Sequence, residues 1–121
     1  MALKAKASTV FGDGVVSIYK EKDRKTDFNA RRNVVTLDDM EFIVKLNYAE
    51  ASKRQQDLDF AEQSGFSLNY KIRTRHVRSV QSKQKAVING DLYDIRYVDK
   101  TAREMFLYLE YVRPLEVGAG A

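Results

Sequence analysis

The chain has 121 residues, with 21 Lys+Arg against 17 Asp+Glu and a formal charge of +4; that length suits one domain, burying roughly 65% of its unfolded surface without staples. The absence of cysteine excludes a disulfide scaffold, a thiolate metal site and a Cys nucleophile. No apolar run approaches the ~18 residues that span a bilayer, residues 1–20 lack the order of a signal peptide, and 44% hydrophobic with 31% charged residues reads as a soluble, globular, intracellular domain with no membrane partner.

Period-two alternation dominates the chain. Gly12-Asp13-Gly14, a turn-forming triplet, introduces a first short strand over 15–20. Residues 21–33 are densely charged and read as a mobile loop. Met40, Phe42, Val44, Leu46 and Tyr48 then alternate with Glu41, Ile43, Lys45 and Asn47, the pattern of a half-buried strand. Residues 49–64 hold good helix formers, no Pro and no β-branched residue, and Gly65 sits where helices commonly stop. The apolar stripe of this helix (Ala51, Leu58, Ala61 and Phe60) is thin, so it is expected to cover an edge rather than fill a core.

Phe66, Leu68, Tyr70 and Ile72 form one face of a third strand, with Ser67, Asn69, Lys71 and Arg73 opposite. Asn89-Gly90 predicts a tight hairpin, because Asn-Gly accepts the positive φ of a type I′ turn. Tyr93, Ile95 and Tyr97 alternate with Asp94 and Arg96, less cleanly at Val98, and 99–104 is a polar connection. In the last strand Met105, Leu107, Leu109 and Tyr111 oppose Phe106, Tyr108, Glu110 and Val112; apolar on both faces for most of its length, it is expected to be central. Pro114 ends it, and 1–12 and 114–121 read as flexible ends. With no repeat and no boundary, 1–121 reads as a single, mainly β domain. The expected fold is a small antiparallel β-barrel or sandwich with one accessory helix (49–64) and long charged loops, because closure or layering protects strand edges.

The sequence points to no catalytic, metal or cofactor-binding residue. His76, the one histidine, has Arg75 and Arg78 beside it and no local carboxylate to orient it as a base. Asp57 and Asp59 point about 200° apart on a helix, and Asp38, Asp39 and Glu41 lack the spacing of a calcium loop. Gly12-Asp13-Gly14 lacks the third Gly and the following helix of a phosphate cradle. Charge is more informative, since residues 63–90 hold Lys71, Arg73, Arg75, Arg78, Lys83 and Lys85 and no acid. Lys71, Arg73 and Arg75 share one strand face, a row that either tracks phosphates or is simply the solvated face of a strand and loop. Tyr70 falls on the opposite face, so the row lacks the stacking aromatics of a single-strand binder. Weak, sequence-independent DNA contact remains open, and a nucleic-acid-binding barrel is the alternative reading.

Three segments carry a resemblance. They are Tyr70-Lys71-Ile72-Arg73-Thr74-Arg75, then Ala86-Val87-Ile88-Asn89-Gly90-Asp91-Leu92-Tyr93-Asp94-Ile95-Arg96-Tyr97-Val98-Asp99, then Leu107-Tyr108-Leu109-Glu110-Tyr111-Val112-Arg113. This order resembles the head–tail joining family of long-tailed bacteriophages, also called head-closure, stopper or head–tail adaptor proteins. Gly14-Val15-Val16-Ser17-Ile18-Tyr19 also fits, so the resemblance runs over nearly the whole chain. Many members carry a Trp in the second strand; this chain has none, and Phe42-Ile43-Val44 stands there instead.

The resemblance implies a small, non-enzymatic β-barrel that assembles as a ring beneath the portal or its adaptor, closes the DNA-filled head and offers a surface to the tail. Its expected place is the virion's head–tail interface, reached from the host cytoplasm during assembly. A tail-completion protein of the same fold differs only in its neighbour. The partners implied are the portal or adaptor ring, tail proteins, further copies of the chain, and packaged DNA by weak contact. Candidate contacts are the basic stripe (Lys71, Arg73, Arg75, Arg78, Lys83, Lys85), facing either DNA or a neighbouring subunit, and the loop residues Arg24, Lys25, Arg31, Arg32, Lys53 and Arg54.

Overall fold

Six stretches of alternating apolar residues pair antiparallel and close on themselves. The structure, a computed structural model, describes residues 11–22 and 36–116. In chain order it comprises β1 (Gly14–Glu21), a 3-10 turn (Leu37–Asp39), β2 (Met40–Glu50), α1 (Gln55–Ser64), β3 (Tyr70–Arg75), β4 (Lys85–Ile88), β5 (Asp91–Lys100) and β6 (Glu104–Pro114). The strand order β1-β2-β3-β6-β5-β4 is closed into a barrel by antiparallel pairing of β1 with β4. The mainly β fold with one helix is therefore as the alternation predicts, and β6 is central, hydrogen-bonded to β3 and β5.

The interior is filled from every strand by Val16, Ile18, Leu46, Tyr48, Ile72, Ala86, Ile88, Ile95, Met105, Leu107 and Leu109. Closed sheets of this size pack their axis with side chains rather than enclosing a channel. The hairpin between β4 and β5 turns on Asn89 (φ 51) and Gly90 (φ 82), both left-handed as a type I′ turn requires. A tyrosine series packs ring against ring, edge-to-face from Tyr48 to Tyr70 (6.0 Å), tilted from Tyr70 to Tyr93 (6.0 Å) and edge-to-face from Tyr93 to Tyr111 (5.6 Å). The Tyr70 hydroxyl donates to that of Tyr48; burial, with that bond, raises the Tyr70 pKa, and burial raises that of Tyr93.

Three departures from simple alternation have one cause, an extra residue on one strand of a pair. Ile18 pairs with Val44 but Tyr19 with Phe42, so Ile43 is the extra residue. Phe42, expected inside, consequently stands outside and is 58% exposed. Between Ile95 and Tyr97 the register slips again, with Arg96 extra, so that Ile95 points inward while Tyr97 packs outside against Tyr108. A third slip, between Leu92 and Tyr93 against β6, leaves Val112 extra; Tyr111 and Val112 are both exposed.

The helix begins at Gln55, not at 49, because Ala49 and Glu50 continue β2 and pair with Arg73 and Ile72 of β3. Likewise β3 begins at Tyr70, and Phe66 and Leu68 belong to a separate cluster with Ala61 and Tyr108. Pro114 is the last residue of β6 rather than the start of a tail. The segment between β3 and β4 is tied to the closed sheet. It buries Val80 completely in the core, and the Gln84 amide donates to the Ser79 carbonyl while the Ile95 N–H donates to that of Gln84. The expectations for 1–10, for the loop residues Arg24, Lys25, Arg31 and Arg32, and for 117–121 lie outside the described residues.

Gly14 abuts the Tyr48 ring so closely that a Cβ there would lie 2.7 Å from the phenol oxygen. Gly14→Ala is expected to cost about 1–3 kcal/mol through overpacking, read as a lower urea midpoint. An unchanged midpoint would mean that the Tyr48 ring swings aside freely.

Candidate functional site

Of the charged residues singled out by sequence, Arg54 and Lys71 meet at Asp57 on the outer face of β3 and β6, where α1 lies. Asp57 sits in the first turn of α1, where a carboxylate complements the N-terminal dipole, and accepts the Arg54 backbone N–H at 3.0 Å. The far end closes at Gly65 in the left-handed region (φ 82), with the Phe66 N–H donating to Ala61 and the Gly65 N–H to Glu62. These two ends direct Asp57 and Ala61 at the sheet, and both are buried.

Asp57 is 3% exposed and carries four side-chain hydrogen bonds besides the backbone one. The Lys71 ammonium donates at 2.8 Å, the Tyr108 hydroxyl at 3.0 Å, and the Arg54 guanidinium at 3.2 and 3.3 Å. Burial by itself raises the Asp57 pKa, but these bonds outweigh it and hold the carboxyl well below the usual carboxylate range. The Tyr108 hydroxyl is pushed up to about 12 by burial and its bond to Asp57. Lys71 is itself buried, its ammonium 5.2 Å from the ring centres of both Phe106 and Tyr108. No buried side-chain polar atom among the described residues is without a partner.

The expected basic stripe is therefore not one continuous surface. Lys71 is enclosed under α1, Arg73 donates to Glu104 at 2.8 Å and lies over the Phe11 ring, and Lys85 is ion-paired with Asp94. Arg75, Arg78 and Lys83 are exposed, the last two in the segment that carries Val80 into the core. Lys53 donates to the Asn69 carbonyl, and Arg54 is held by Asp57. The acids that pair with the row come from β5, β6 and α1, brought near by strand register (Asp94 opposite Lys85, Glu104 diagonal to Arg73) and by the helix. The one signal for this in the sequence is an Asp in a helix first turn, which by itself points to no particular lysine.

Among the described residues, no group of three His, Asp or Glu side chains is placed to hold a metal ion. Asp39 accepts the Thr36 backbone N–H and Asp59 the Gln55 side-chain amide, and the His76 backbone N–H donates to the Arg103 carbonyl. An open cleft of about 460 Å³ lies between Glu21, Lys83, Lys85 and Asp94. No helix of the described residues is long and apolar enough to cross a membrane. The chain matches no protein-family model and no curated protein.

Asp57→Asn leaves the Lys71 ammonium buried without its counter-charge and is expected to cost about 3–5 kcal/mol. Adding Lys71→Met removes that orphan charge and should recover much of the loss, as read by urea unfolding. A double variant as unstable as the single one would contradict the assignment.

The same pair predicts acid sensitivity of a definite sign. Because the folded carboxyl titrates below its unfolded value, its stabilisation is complete above the unfolded pKa of about 4 and is lost as pH falls below it. Stability should fall more steeply between pH 6 and pH 2.5, roughly spanning that range, for the wild type than for the double variant; parallel curves would exclude Asp57 as the cause.

Proposed function

We propose that this protein is a structural subunit of a bacteriophage head–tail junction, acting as a ring beneath the portal or its adaptor that closes the filled head and receives the tail. The observation that carries the reading is the closed six-stranded sheet with a single outer helix, the fold that the family resemblance implies. The three segments behind that resemblance fall on β3, β4–β5 and β6, which are consecutive neighbours in the closed sheet.

Physical features of the molecule support a structural task. A closed sheet packed along its axis is a rigid support for side chains presented to a partner. Of the six cations in the 63–90 window, Lys71, Arg73 and Lys85 are committed to carboxylates. Exposed Arg75, Arg78 and Lys83 suit weak contact with a polyanion, with no row of stacking aromatics beside them. Such contact suits a junction that retains DNA yet releases it on ejection. It speaks less for nucleic-acid binding as the main task.

Electron microscopy of lysates from a phage lacking this protein tests the proposal. The expected result is heads and finished tails lying apart; empty heads would assign it closure, and full heads tail attachment. Normal virions would overturn the junction reading.

A further inference from the structure

We infer that the unpaired edge of β2, over Met40–Asn47, receives an extended acidic segment of a different protein as an added strand. The inference goes beyond the junction reading and does not depend on it, since its argument uses only strand pairing, exposure and charge.

The closed sheet is not paired along its whole length. β3 pairs with only Tyr48, Ala49 and Glu50 of β2, so among the described residues Met40–Asn47 have no strand on that side. The direction of the backbone groups follows from the bonds at each end. The Ala51 N–H donates to the Lys71 carbonyl, and two-residue alternation from there points the Lys45 backbone off the same side. At the other end the Lys22 N–H donates to the Asp39 carbonyl, which by the same alternation turns the Phe42 backbone away from β1. Edge N–H and C=O groups so placed are what a further strand bonds.

Side chains along the edge specify the occupant. Ile43, Val44 and Val77, the last in the chain that leaves β3, are half-buried against the core. They offer apolar surface to every second residue of an added strand. Lys45 is exposed, and so is Arg75, which stands next in register after the pair of Tyr48 with Thr74. Exposed Arg78 and Arg103 lie beyond, Arg103 held beside His76 through its carbonyl. The neighbouring acids are engaged, Glu41 with Lys20 and Glu104 with Arg73. The strand that complements this edge therefore alternates apolar with acidic residues. Phe42, 58% exposed and edge-on to Tyr19 at 5.6 Å, offers it an aromatic contact at the far end.

The same features decide against two other occupants. A second copy approaching edge to edge brings Lys45 and Arg75 against their own kind, and like charges directly opposite destabilise a strand pair. Phosphates accept hydrogen bonds but donate none, so a nucleic-acid backbone leaves the edge carbonyls unsatisfied. The extra residue at Ile43 and the charge of Lys45 guard the edge against indiscriminate pairing. An acidic strand is the one that answers this guard.

A fluorescent peptide of about ten residues, alternating valine with aspartate, tests this by anisotropy and by amide exchange followed by NMR. The expected dissociation constant lies below about 1 mM, and the Phe42 and Lys45 amides become protected on binding. The same peptide with lysine for aspartate should bind about fivefold more weakly, or less. Lys45→Glu should weaken the aspartate peptide by a similar factor, and Arg75→Glu serves if the first variant does not fold. N-methylating every residue of the peptide, which removes its donors, should abolish binding. No saturation by about 1 mM, undiminished binding to the variants, or an N-methylated peptide that binds as well would overturn the proposal. Protection of these amides in the free protein as its concentration rises would overturn it in favour of a second copy. Tighter protection by oligothymidylate of equal charge would overturn it in favour of nucleic acid. Normal virions in the absence of the protein would sink the junction reading and leave this one standing.

Discussion

A single buried carboxylate determines which face of this molecule is available to anything else. Asp57 draws Lys71, Tyr108 and Arg54 to itself and so fixes α1 against the outside of β3 and β6. Removing two charges from water is costly, and the pair persists only because both oxygens are bonded and both partners enclosed. The aromatic layer of Phe66, Tyr108 and half-buried Phe106 completes the seal. Without that clamp the helix, whose other described positions are largely exposed, has little apolar surface with which to hold the sheet.

The sheet beneath is governed by a different constraint, closure. Once β4 meets β1, every inward side chain must fit a fixed interior, and slips in register become the means of accommodating length. Those slips have consequences on the outside. They expose Phe42 and Tyr97, and the chain thereby acquires aromatic surface on two opposed strands that simple alternation would have buried.

Alternation made the strands, the central position of β6 and the Asn89-Gly90 hairpin legible from sequence, because a period of two and a positive-φ turn are local properties. Extra residues in a strand are not local. Phe42 and Ile43 are both apolar, so nothing in their order says which one faces in, and the answer lies in the partner strand. The basic row was legible as residues but not as a site. Glu104, Asp94 and Asp57 lie 31, 9 and 14 positions from their partners Arg73, Lys85 and Lys71, and only pairing and the helix bring them together. Ala49 and Glu50 illustrate tertiary override, being good helix formers held in β2 by Arg73 and Ile72.

These features together describe a rigid module whose chemistry is spent on its own structure and whose outer faces are left for contact. The measurement that tests the proposed junction role most directly is a cryo-EM reconstruction of the head–tail junction of phage particles assembled in the presence of this protein. The account predicts a ring of six-stranded closed sheets between head and tail, each with one outer helix. A junction density fully occupied by other chains, with no such ring, would contradict it.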